Sequence, residues 1–219
     1  GFDANHPPDE IWISAVMTYW WEPVRDLIAR LRHRFGDKPA ILLGGIYPTL
    51  APEHAAAYCK PDIVVVGEIE EANDLWTDLS LYEKAPSYAI ITPSRGCPYD
   101  CAYCAQKTIN QGRVKVHFRS VEDIWAEMLD KYDRFGIRDF AFYADFLLFD
   151  FENTLLPLLE RIAATKDPYI RIYAPEGLDV RYLSQSQRLV DALKAARLQK
   201  VYLPCESIND EYVRSLNRK

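Results

Sequence analysis

The chain has 219 residues, 49% of them hydrophobic, enough to bury a core in one large or two small domains. A formal net charge of -6 excludes a general binder of phosphate backbones, which needs an excess of Lys and Arg. The longest apolar runs, such as 63–66 and 146–149, fall far short of the roughly 18 residues of a membrane span, and the N-terminus lacks the basic-then-apolar order of a signal peptide, so a soluble, cytoplasmic protein is expected.

Apolar, β-branched runs alternate with amphipathic stretches, the pattern of βαβ units on a parallel sheet, and this predicts an α/β fold. Residues 10–16 read as a buried strand. A helix over 22–35 follows, with Val24, Leu27, Ile28 and Leu31 on one face, and then a strand over 40–43 closed by Gly44 and Gly45. Residues 52–58 read as a short helix opened by Pro52, and 62–66 as a strand stopped at Gly67. The aromatic run 18–21 (TYWW) is expected to pack in a core, since aromatic rings bury large areas, with the face of a cofactor or the domain interface as the alternatives.

The periodicity is lost over 73–86, where Asp, Ser, Lys and Pro accumulate, which predicts a first domain over 1–72, a linker over 73–87 and a second domain over 88–219. The second series runs strand 88–92, a cysteine-rich loop, helix 120–135 capped by Ser120, strand 139–143, helix 153–165, strand 169–174, helix 184–196, strand 200–204 and a helix from Asn209. Four βα units do not close a barrel, so the sequence is expected to be truncated at both ends.

Five cysteines are present, and Cys97, Cys101 and Cys104 crowd into eight residues directly after a strand. That is poor geometry for a disulfide framework and good geometry for metal. Thiolates are the ligands of iron–sulfur clusters, and three of them on a four-iron cube leave one iron open. Zinc with His117 as a fourth ligand, or a Cys-x-x-Cys redox pair that leaves Cys97 idle, are the competing readings of the same spacing. Cys59 and Cys205 are expected to be small buried residues.

The motif Cys-x3-Cys-x2-Cys, with Tyr103 before the third cysteine and the wider run SRGCPYDCAYCA, resembles the radical S-adenosylmethionine (SAM) superfamily. The resemblance implies a partial (βα)6 barrel with chemistry at the carboxyl ends of its strands. It also implies a 4Fe-4S cluster on Cys97, Cys101 and Cys104 whose open iron chelates SAM, and reductive cleavage of SAM to a 5'-deoxyadenosyl radical. In that frame Tyr103 and Asp145 belong to the cofactor site, Asp145 facing the methionine ammonium, although a turn cap suits it equally. Glu206, in LPCESIND, resembles the Glu-Ser pair that approaches the cofactor, with Ile208 departing from the usual Gly. Arg119 matches the segment after the cluster loop; an exposed residue at a helix start is the expectation for it.

Ser14 and, further on, Gly44–Gly45 resemble the cobalamin-binding pattern, in which a small hydroxyl and a side-chain-free turn let a nucleotide tail approach the backbone. The order GGIYPTLAPEHA, then DIVVVGEIEEA with Glu68 and Glu70, then the cysteine loop is similar to the cobalamin-binding subgroup of the superfamily. This subgroup implies a partial Rossmann-like domain ahead of the barrel, cobalamin as a further cofactor, and methyl transfer or rearrangement on a small-molecule or peptide substrate. The one-electron chemistry implies a donor such as a flavodoxin or ferredoxin. Radical chemistry without cobalamin, or a nonenzymatic zinc-stabilised module, are the alternatives.

Overall fold

The computed structural model describes residues 7–112, 116–166 and 168–216. The expected ranges 1–72 and 88–219 also run through 1–6, 113–115, 167 and 217–219, which lie outside the described residues. Two compact units divide the chain, Gly1–Ile69 with Tyr103–Arg113, and Glu70–Ala102 with Val114–Lys219.

In the first unit, β1 (Glu10–Ser14), β2 (Ala40–Gly44) and β3 (Ile63–Val64) form a parallel sheet in that order. Between β1 and β2, α1 (Trp21–Phe35) turns Val24 and Ile28 into the core and stops at Gly36, whose φ of 67° only glycine adopts freely. After β2 come two short helical pieces, α2 (Ile46–Leu50) and α3 (Pro52–His54), and a π-turn over Ala55–Cys59. The core gathers Ala15, Ile41, Leu43, Tyr47, Ala55 and Cys59 around Val24 and Ile28. The run 18–21 does not pack as expected: Tyr19 is 70% and Trp20 45% exposed, because a 3-10 turn over Thr18–Trp20 swings both outward. Trp21 alone lies against His54 and Tyr58. The segment after the cysteines contributes α4 (Gln106–Ile109) to this unit.

In the second unit, β4 (Ala89–Ile91), β7 (Asp139–Phe142) and β8 (Arg171–Tyr173) pair in parallel in that order, and a two-residue antiparallel ribbon joins β5 (Ser94–Arg95) to β6 (His117–Phe118). Helices α5 (Val121–Phe135) and α6 (Leu155–Ala164) cover the sheet and bury Ile124, Met128, Leu155, Leu158, Leu159 and Ile162. Ser120 caps α5 by accepting from Asp123 N–H at 3.1 Å.

Two expectations need correction here. The helix expected over 184–196 is two helices, α7 (Val180–Gln185) and α8 (Gln187–Ala195), because Asp179 and Ser186 each cap a separate start. The strand expected over 200–204 does not form: a single parallel bridge joins Ile172 to Leu198, and Val201, Tyr202 and Leu203 stay exposed. A last helix, α9, spans Asp210–Ser215. No helix among the described residues is long and apolar enough to cross a membrane.

Candidate functional site

The cysteine loop leaves the carboxyl end of β4, and the second unit holds its ascending half at several points. Arg119 donates to the carbonyl of Thr92 at 3.4 Å, and its own N–H bonds Pro93 O at 3.0 Å. Gly96, buried at φ 91°, donates its N–H to Asp145 Oδ2 at 2.6 Å. Ala102 N–H reaches Leu216 O at 2.9 Å, just past α9. Asp145, on the turn after β7, therefore braces the residue that precedes Cys97, an arrangement neither the cofactor nor the turn-cap expectation named.

None of the five cysteines is in a disulfide; Cys97 and Cys101 are half-buried and Cys104 is exposed. The donor set suits a thiolate-ligated cluster, with three cysteine sulfurs on one short loop at a strand's carboxyl end. Among the described residues, no three of His, Cys, Asp or Glu are grouped so as to hold a metal ion. Cys104 Sγ instead accepts from Gln106 N–H at 3.5 Å at the start of α4. His117, the possible fourth zinc ligand, lies 2.7 Å from Asp74 through Nε2. Tyr103 is half-exposed beside Cys104. Glu206 is exposed, and Cys205, expected to be buried, is exposed too, because the 200–204 segment does not enter the sheet. Cys59 is buried as expected, with its Sγ 3.6 Å from Tyr47 Oη.

Arg119 is the largest departure from expectation. It is 6% exposed rather than at the surface, and the reason is a run of charges along α5. Its Nε and Nη2 donate to Asp123 Oδ2 at 2.8 and 2.5 Å, and its Nη1 to Glu127 Oε2 at 2.7 Å. Glu127, fully buried, also accepts from Thr77 N–H at Oε1, 3.0 Å away, and Lys131 Nζ lies 3.8 Å from that same oxygen. Trp76 Nε1 donates to Asp123 Oδ1 at 2.9 Å. Burial alone would lower the guanidinium's pKa, but the hydrogen bonds and charges of Glu127 and Asp123 outweigh it and hold Arg119 above its ordinary value. The i, i+4, i+8 spacing of 119, 123 and 127 was visible in the sequence; that it faces inward was not.

A second constellation lies in the first unit. Ser14 and Gly44 are register partners at the ends of β1 and β2, and Ala15 N–H bonds Gly44 O at 2.9 Å. Gly45, at φ 100°, lies so close to the Ala15 backbone that a Cβ would sit 2.7 Å from its carbonyl oxygen. Thr49 Oγ1 donates to Gly45 O at 2.8 Å and accepts from Gly67 N–H at 3.0 Å, tying the exits of β2 and β3. The three residues singled out in the sequence thus meet at the carboxyl edge of one sheet, and Thr49 is the member that went unread.

The model of the radical SAM superfamily matches residues 91–219, more than half of the chain. The chain is 22% identical to bacteriochlorophyllide d C-12(1)-methyltransferase of Chlorobaculum tepidum, across 89% of this chain and 49% of that protein. Its fold is similar to that of the radical SAM methyltransferase TsrM from Kitasatospora setae, with a TM-score of 0.76 at 15% identity over 96% of this chain and 52% of that one. OxsB, a cobalamin-dependent SAM radical enzyme, gives a TM-score of 0.69 at 14% identity, covering 98% of this chain and 38% of OxsB. The chain spans about half the length of the curated relative it matches. With the family model beginning in β4, the strand that feeds the cysteine loop, this chain belongs to the radical SAM superfamily, whose cofactors are a 4Fe-4S cluster and SAM.

Proposed function

We propose that the protein carrying this chain is a cobalamin-dependent radical SAM enzyme that transfers a methyl group to, or rearranges, a small-molecule or peptide substrate. The observation that carries this reading is the three-thiol loop at the carboxyl end of a parallel strand, within the matched family segment. Two of the similar proteins are methyltransferases, and one TsrM structure is described with cobalamin and a [4Fe-4S] cluster bound. In this reading Cys97, Cys101 and Cys104 ligate the cluster and leave one iron for SAM. The cluster, when bound, supplies the electron that cleaves SAM, and cobalamin supplies a methyl carrier. Asp145 spends one oxygen on Gly96 N–H and keeps acceptor capacity for the methionine ammonium. Tyr103 and Glu206 flank the cofactor. Ser14, Gly44 and Gly45 offer cobalamin's nucleotide tail a carboxyl edge without bulky side chains. A flavodoxin or ferredoxin supplies the electron.

The test is electron paramagnetic resonance of the full-length protein, reconstituted anaerobically and reduced, with and without SAM. A 4Fe-4S signal that changes on adding SAM is expected, and Cys97→Ala, Cys101→Ala and Cys104→Ala should each abolish it. A signal indifferent to SAM would leave an electron carrier, and no iron would turn the case to zinc. Failure to bind cobalamin in an optical titration would leave radical SAM chemistry without it.

A further inference from the structure

Tyr99 lies between Cys97 and Cys101, and ligation of a cluster asks nothing of its side chain. The structure nevertheless grips it from three sides. Its ring meets Phe146 edge-on with centroids 5.0 Å apart, and the Arg181 guanidinium sits 5.0 Å from its centroid. Its hydroxyl lies 3.2 Å from the hydroxyl of Tyr182, whose ring in turn packs on Phe146 and Phe151. Arg181 is itself fixed, because its Nε and Nη2 donate to the two oxygens of Asp179 at 2.9 and 2.5 Å. Asp179, 7% exposed, is the residue that caps α7. One turn of α7 thus presents an oriented cation and a hydroxyl to a single ring of the cysteine loop.

Burial alone would satisfy an aromatic ring; a clamped cation and a paired hydroxyl do more, since they fix which way the ring points. A loop whose ligands must meet a cluster loses backbone entropy on ordering, and fastening its middle to a folded helix removes part of that loss beforehand. Resting on the reading that Cys97, Cys101 and Cys104 are the cluster ligands, we propose that Tyr99, held by Arg181 and Tyr182, is a positioning residue that preorganises the cysteine loop for cluster assembly.

The test compares full-length wild type, Tyr99→Leu and Tyr99→Phe, first without a cluster by hydrogen exchange over 97–104, then by iron and sulfide bound per chain after reconstitution. Tyr99→Leu should exchange about tenfold faster in this loop and retain several-fold less iron, with α5 and β7 unchanged. Tyr99→Phe, which keeps the ring and its cation contact but loses the bond to the Tyr182 hydroxyl, should fall between wild type and Tyr99→Leu on both measures. Equal exchange, or equal iron uptake, in Tyr99→Leu would overturn the proposal. A wild type that takes up no iron would instead overturn the ligation reading and the assembly role with it, so the two failures are distinct.

Discussion

The carboxyl edge of the first unit's sheet and the cysteine loop of the second are both turns that leave parallel strands, and they are held in opposite ways. The first edge is a backbone construction: Gly45 touches Ala15 main chain, and a single Thr49 hydroxyl bridges two turns. The loop is a side-chain construction, with a buried guanidinium, a carboxylate and an aromatic clamp reaching it from the residue before the cap of α5, from the turn after β7 and from α7. Backbone constructions leave short local motifs in a sequence. Side-chain constructions are spread over positions far apart in the chain, and only folding brings them together.

The comparison is broken most severely at Glu127. Replacing it with Ala leaves the buried Arg119 guanidinium with Asp123 and the Thr92 carbonyl, and strips Thr77 N–H of its acceptor. Breaking a buried pair by removing one partner costs about 3–5 kcal/mol. Chemical unfolding of the full-length protein should show that loss, with exchange rising first around 76–77 and 92–96. Glu127→Gln, which keeps an acceptor without the charge, should lose less.

Gly45→Ala is the corresponding break in the first unit. The new Cβ meets backbone atoms at 2.7 and 2.9 Å that have nowhere to move, and φ 100° is a region left to glycine. A loss of about 3 kcal/mol is expected. Gly67→Ala sharpens the contrast, because its Cβ would meet the far end of the Gln111 side chain, which swings aside. The cost should fall to about 1–2 kcal/mol, the backbone strain alone. Equal losses at the two glycines would show that contact with Ala15 is not what makes the first edge rigid. Both variants are measured by unfolding, and by cobalamin titration of the full-length protein.

The same division explains what the sequence disclosed. The alternation of β1, α1 and β2 and the amphipathic period of α5 and α6 are local, and so were legible, as was the meeting of Ser14 with Gly44 at equivalent strand ends. The 200–204 run has the apolar composition of a strand, but whether it pairs depends on neighbours: the bridge to Ile172 is made at Leu198, and within the run Tyr202 O accepts from Leu178 N–H at 2.9 Å. Arg119 looked like a surface residue because nothing near it in sequence announces that Glu127 is fully buried. Tyr99 was invisible for the same reason, since its partners lie far along the chain, from Phe146 in the turn after β7 to Tyr182, 83 residues away.

The smallest expected effect is one of pH, at the far edge of the first sheet. Asp62 accepts the Ile41 N–H at 2.6 Å and pairs with Arg32, and these two contacts, the backbone bond first, hold its carboxyl below the ordinary value of 3.8. A carboxyl whose pKa is depressed on folding stabilises the folded chain above its unfolded value and loses that contribution as pH falls through the folded one. The pairing of β2 with β3 should therefore weaken only at pH below about 4, and not on the alkaline side. Asp62 is solvent-exposed, so screening keeps the effect small and high salt reduces it further. Urea midpoints of wild type and Asp62→Asn should differ at neutral pH and converge as the pH falls through the depressed folded value, because the protonated acid and the amide make similar contacts. A difference that persists unchanged in acid would mean that Asp62 acts through its shape alone, and that even this side-chain tie in the first unit belongs with its backbone construction.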